Sequence, residues 1–266
     1  MELLRATVHL YVDALQATAR SLVRGWMIAV GVVIFAVLML IAATIAAPLG
    51  IVGGFILGAV NALLIGATLS LVEQAVMQSR RLVFQDITSS FGQYFWDVIN
   101  LGFVLWLPLL VLQMGSAANP YGPFLVAAVF LLIFILLNPA PEVIYQIRPG
   151  SPLEVIRTSY EFVLDNWIEW FLPLAIVVAP LGLSFFFRIS SRAGGGVALD
   201  FFQMLMLPFT LLTAWLGYLG LPDAASSGVV LVLTPLAAVA MMIFRGHLFA
   251  ALKNSTRRKR LYEARF

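Results

Sequence analysis

Apolar residues in this chain come in blocks of about twenty, separated by short polar breaks or by turns rich in proline and glycine. About twenty helical residues cover the ~30 Å hydrocarbon layer of a bilayer. The blocks predict spans at about 26–47, 51–72, 97–115, 124–145, 167–187 and 229–244. Ala47-Pro48-Leu49-Gly50 and residues 115–123 are uncharged turns. Pro139 and Pro141 predict a kink at the end of the fourth block, because proline removes an amide donor and crowds the preceding turn.

Between the blocks the period changes from solidly apolar to amphipathic. Leu4, Val8, Tyr11, Leu15, Ala19 and Leu22 recur at steps of three and four, with His9, Asp13, Gln16 and Arg20 elsewhere. That pattern predicts a helix lying on the membrane surface over residues 3–24. Phe84, Ile87, Phe91 and Phe95 give the polar stretch 73–95 a second stripe. Ser151 is placed to cap a third helix carrying Leu153, Ile156, Tyr160 and Val163. Trp26, Trp96 and Trp167 each follow a surface helix and open a pair of spans, at spacings of 70 and 71. The spacing predicts three repeats, 3–72, 76–145 and 151–245, in one membrane domain ending in a basic tail, 246–266. Tryptophan also favours membrane interfaces for its own sake.

A seventh apolar block, 199–219, follows Gly194-Gly195-Gly196 and contains Pro208. Charge decides its role. With six spans and both termini inside, every Lys and Arg except Arg188 and Arg192 is cytoplasmic, as positive-inside orientation requires. Seven spans would place either the tail or the earlier basic loops outside. The block is therefore expected to be an outer-face interfacial or re-entrant helix, with a true span as the competing assignment.

Composition narrows the class. The chain is 62% hydrophobic and 11% charged, with a mean hydropathy of +0.99; a soluble domain carries about 25% charge. The absence of cysteine excludes disulfides, thiolate metal sites and cysteine nucleophiles. The amino-terminal segment does not read as a cleaved leader, since Glu2 and Asp13 interrupt its basic residues and the apolar run that follows is too long.

Candidate chemistry is sparse. Gly50, Gly54, Gly58, Ala62, Gly66 and Ser70 recur in fours along the second span. Small residues let helix backbones approach closely in lipid, so the stripe is expected to pack against neighbouring helices of the same chain. Each step of four drifts by about 40° on a helix, so its two ends should face different helices. Glu73, Glu142 and Arg245 fall at similar depths near the inner ends of the even-numbered spans. A charge at mid-membrane costs about 2.5–3.5 kcal/mol on insertion scales, so a buried Glu73–Arg245–Glu142 cluster lining an inner vestibule is one expectation. Separate snorkelling to headgroups is the simpler one. Asn61, Asp97, Asn100, Gln113 and Asn138 read as interhelical hydrogen-bonding residues, and Glu169 is expected at headgroup level.

His9 and His247 have no spacing that suggests a metal site, and no metal or cofactor is expected. No phosphate loop, nucleophile elbow or dinucleotide fingerprint occurs, which points away from an enzyme. Arg257, Arg258, Lys259 and Arg260 would attract anionic lipid by about 1 kcal/mol each. They lack the interleaved aromatics of a nucleic-acid site, so no nucleic-acid partner is expected.

Asn138-Pro139-Ala140-Pro141-Glu142, the stretch from Asp165 to Pro173, and Phe244-Arg245-Gly246-His247-Leu248-Phe249 resemble motifs in uncharacterised bacterial multi-pass inner-membrane proteins. That resemblance implies a bacterial cytoplasmic membrane and no activity. The sequence thus leads to an all-α membrane bundle that binds a protein partner or lipid at its cytoplasmic face. A permease or channel component with a polar path between repeats is the alternative.

Overall fold

In hydrocarbon an isolated segment must satisfy its own backbone amides, which an α-helix does. Every regular element among the described residues is helical. The computed structural model describes residues 2–78, 81–116, 121–181, 211–221 and 223–253. The helices are α1 (Glu2–Arg24), α2 (Met27–Ala46), α3 (Gly50–Glu73), α4 (Phe84–Ser89), α5 (Phe95–Ser116), α6 (Gly122–Leu136), α7 (Ala140–Gln146), α8 (Pro152–Val178) and α9 (Asp223–Lys253). A π-helical turn, Gln74–Gln78, extends α3, and residues 211–218 form a further helical stretch.

Among the described residues, four stretches are long and apolar enough to cross a bilayer: Met27–Gln78, Phe95–Ser116, Gly122–Gln146 and Leu233–Lys253. The first is a hairpin. Ala47–Leu49 tightens into a 3-10 turn, and Gly50 takes φ 54°, where a side chain would be strained. The chain then returns antiparallel, bringing Leu71 to 3.2 Å from where a β-carbon on Gly31 would lie. Gly53 sits so close to the Ala46 carbonyl that no side chain fits, and Gly122 meets the Ser116 carbonyl in the same way between α5 and α6.

The expected third surface helix and the following apolar segment form one element, α8, bent at Asn166 (φ −131°, ψ 20°). Asn166 Nδ2 donates to the Phe162 carbonyl at 3.2 Å, inside the bend. The expected fifth span, 167–187, is described as far as Leu181. The rest of it, and residues 199–210 of the expected outer-face helix, lie outside the described residues. Trp215 Nε1 donates to the Val177 carbonyl at 3.1 Å, which sets the 211–218 stretch beside the end of α8. Helix α9 runs past the expected end at Phe244, and Leu248, Phe249 and Leu252 are buried.

The described core lies toward one end of the bundle. Phe35, Leu64, Leu71, Leu101, Ile144, Ile243 and Phe249 are fully buried there. Toward the other end Ile45, Ile51, Phe55, Val111, Phe124 and Ile176 are exposed. Helix α1 and the loop before α4 dock at the core end, hereafter the inner end. Ser21 of α1 lies 3.0 Å from His247 Nε2 of α9, Tyr11 Oη donates to the Glu169 carbonyl at 2.8 Å, and Leu82 lies 3.4 Å from a β-carbon placed on Gly25.

Candidate functional site: a polar junction at the inner end

Three helices meet at Gly246 of α9. A β-carbon there would stand 2.5 Å from Tyr145 Oη of α7 and 2.8 Å from Val76 Cγ2 of the π turn after α3. Only glycine allows this approach. The charged residues expected at these helix ends are gathered around that point, in two ion pairs.

The first joins α7 to α9. Arg245 Nε donates to Glu142 Oε1 at 2.9 Å and Arg245 Nη2 to Glu142 Oε2 at 3.0 Å, a two-pronged contact. Nη2 also donates to the Asn138 carbonyl at 2.5 Å. That carbonyl is available because the helix is interrupted over residues 137–139, between α6 and α7. Trp170 Nε1 donates to Asn138 Oδ1 at 2.9 Å, and the Trp170 ring centroid lies 5.1 Å from the Arg245 guanidinium carbon. The Glu142 side chain is 4% exposed and that of Arg245 21%. Gln146 Nε2 to the Gly246 carbonyl (2.8 Å) and Lys253 Nζ to the Gln146 carbonyl (3.2 Å) continue the seam.

The second joins α3 to the loop after α7. Glu73 Oε1 accepts from Arg148 Nη2, and Glu73 Oε2 accepts from Tyr94 Oη at 2.6 Å and from Gln93 Nε2 at 3.3 Å. Ser70 Oγ donates to Gln93 Oε1 at 2.5 Å. Burial and then the Glu73 carboxylate push the Tyr94 phenol well above its usual range. The hydrogen bond to Glu73 holds the Arg148 guanidinium above its ordinary value. Arg148 takes φ 55°, a left-handed backbone uncommon for a residue other than glycine, and it also precedes Pro149.

The structure therefore brings Glu142 and Arg245 together, whereas Glu73 pairs with Arg148. Glu169, expected at headgroup level, is 4% exposed. His9 is exposed on α1 and His247 faces Ser21. Asp97 and Asn100 are exposed on the first turns of α5. Arg257, Arg258, Lys259 and Arg260 lie outside the described residues.

The small-residue stripe divides in two. Ala62, Gly66 and Ser70 are buried, and a β-carbon on Gly66 would lie 3.0 Å from the Tyr94 carbonyl carbon and 3.1 Å from the Phe95 amide. Gly50, Gly54 and Gly58 have open space around them among the described residues. Among the described residues, close packing is seen only along the second half, as the stripe winds around α3. The hairpin instead closes on Gly53, one position away from the stripe.

Sequence pattern missed Arg148, Tyr94, Gln93 and Trp170. A signal existed for Arg148, the cation of the Arg148-Pro149-Gly150 turn. No protein-family model, curated protein or solved structure matches this chain.

Proposed function

We propose that this chain is a non-enzymatic bundle in a bacterial inner membrane, crossing it six times as three helix pairs with both termini cytoplasmic. Its cytoplasmic end binds a protein partner or lipid, with anionic lipid the favoured ligand. The observation that carries this reading is the clustering of exposed cations with the surface helices. Arg20, Arg24, Arg81, Arg148 and Arg157 are all exposed on segments at the inner end, where Lys253 leads into the basic tail. A cation beside an anionic leaflet contributes about 1 kcal/mol. The junction's buried charges support a packing role, since each is met by a partner inside the fold.

Extraction in native nanodiscs followed by headgroup analysis tests the reading. Anionic phospholipid enriched over the bulk membrane is expected, with the enrichment lost when Arg257, Arg258, Lys259 and Arg260 are all changed to Gln. A stoichiometric protein without lipid enrichment would move the ligand to the partner class. Tags on Met1 and Phe266 reporting from opposite compartments would overturn the six spans.

A permease or channel component is the second reading, favoured by the interrupted helix at residues 137–139 beside Glu142 and Arg245. Broken helices at membrane depth line substrate sites in many transporters. Solute or ion flux in proteoliposomes that responds to Glu142→Gln would support it.

A further inference from the structure

The surface helices share a feature that their sequences do not announce. At about 100° per residue, the circumference of α1 divides into three sectors. One carries Ala14 and Thr18, buried against the bundle. The next carries exposed apolar side chains, Leu15 (57%), Val8 (50%) and Val12 (41%). The last carries exposed polar ones, Gln16, His9, Arg20 and Asp13. The apolar arc is therefore wider than the face the protein covers.

The first half of α8 repeats the arrangement. Val155, Ser159 and Phe162 are buried, Tyr160, Leu153 and Leu164 are exposed and apolar, and Arg157, Glu161 and Glu154 are exposed and polar. The short α4 follows suit, with Asp86 and Ile87 buried, Phe84 exposed, and then Thr88, Gln85 and Ser89. Viewed from the first residue of each helix, the clockwise order is the same in all three: bundle, apolar flank, polar flank.

We infer that α1, α4 and the first half of α8 form an in-plane collar that runs around the bundle in one rotational sense, with its apolar flanks seated in the acyl-chain boundary of the inner leaflet. The inference rests on the membrane-bundle reading above and names the surface that its cytoplasmic end takes. Shared handedness is what a plane demands. If lipid lies below and water above, a helix with this sector order keeps the bundle on its right, so all three circle it alike. The helices sit at different places around the bundle: α1 packs on α9, α4 on α2 and α3, and α8 on α7 as well as α9, where Phe162 meets Phe249. A compact protein partner would not meet three flanks so placed, whereas a leaflet meets all of them. The flanks also continue into the exposed apolar surface of the spans through Trp26 (56%), Trp96 (69%) and Trp167 (59%), side chains suited to the interface.

The chain has no cysteine, so single-cysteine spin labels read one site each. Labels go at Leu15→Cys, Phe84→Cys and Leu153→Cys on the apolar flanks, and at Arg20→Cys, Gln85→Cys and Glu161→Cys on the polar ones. Val33→Cys, on the exposed side of α2, is the span control. In nanodiscs of mixed zwitterionic and anionic phospholipid, collisions with oxygen should exceed those with a water-soluble nickel chelate at the three apolar sites. The order should reverse at the three polar sites. Nickel-dominated collisions at Leu15, Phe84 and Leu153, with Val33 still oxygen-dominated, would overturn the collar and leave the bundle standing. Protection from both reagents would mean protein covers the flanks and would also overturn it. Nickel-dominated collisions at Val33 itself would remove the bundle reading. If the Leu15 variant fails to fold, Val8→Cys reads the same flank.

Discussion

Arg245 reaches Glu142 with two hydrogen bonds, at 2.9 and 3.0 Å, across the line where α9 meets α7. It lies in an apolar stretch, Leu233–Lys253, where an unpaired cation would be costly. The pair, the Asn138 carbonyl and the Trp170 ring together let α9 carry an arginine and remain helical to Lys253.

Removing one partner should therefore hurt more than removing both. Arg245→Met leaves the Glu142 carboxylate buried and alone, a loss of about 3–5 kcal/mol for a pair of this kind. Arg245→Met with Glu142→Leu should recover much of that loss, because neither charge remains. Thermal unfolding in detergent, followed for both single variants and the double, measures the difference. A double variant whose loss equals the sum of the two single losses would mean that the pair is not coupled.

The Glu73–Arg148 pair should behave differently, since the Arg148 side chain is 59% exposed and water screens its charge. What stands out there is the backbone. At φ 55° a side-chain-bearing residue costs about 1–2 kcal/mol more than glycine. Arg148→Gly and Arg148→Ala both lose the ion pair, yet the glycine variant should be the more stable by about 1 kcal/mol. Reversing that order in an unfolding assay would show that the turn is not held in the left-handed conformation.

Much of this architecture was written in the sequence, and the missing parts have physical reasons. Twenty-residue apolar blocks were legible because bilayer thickness fixes their length. The first hairpin was legible because Pro48 and Gly50 leave few alternatives at residues 47–50. The partner of Glu73 was not, since Arg148 is reached only through a left-handed turn that no periodicity encodes. Tyr94 and Gln93 were hidden for a related reason: they fall between elements, outside any repeating pattern. Helix α8 read as two elements because its period changes at Asn166, whereas the backbone only bends there. The last apolar helix runs past Phe244 to Lys253 because Arg245, which looked like a terminus, is paired with Glu142 inside the fold.

Tyr94 offers a pH test. Its phenol pKa is raised in the fold, first by burial and then by the neighbouring Glu73 carboxylate. A raised folded-state value means the native state keeps its proton after the unfolded chain has lost it. Tyr94 thus contributes stability that is fully present below the unfolded value of about 10 and is lost as pH rises through the higher folded value. Wild type should lose stability above about pH 10 more steeply than Tyr94→Phe, which has no proton there to lose. Identical alkaline slopes for the two proteins would show that burial and Glu73 do not raise the phenol in the fold.

The glycines on α3 and α9 separate close packing from mere smallness. Gly58 has open space around it among the described residues, so Gly58→Leu should change stability by no more than about 0.5 kcal/mol. Gly66 instead rests against the backbone of Tyr94 and Phe95, which cannot yield as a flexible side chain would. Gly66→Ala should cost about 1–3 kcal/mol, the usual range for overpacking. Gly246→Ala should cost at least as much, because its β-carbon would push into both Tyr145 and Val76 and part the three helices that meet there. Thermal stability and accumulation of the three variants give the ranking. A damaging Gly58→Leu would place a neighbour against the outer half of α3, and a harmless Gly66→Ala would mean that α3 and α5 do not approach as closely as this fold requires.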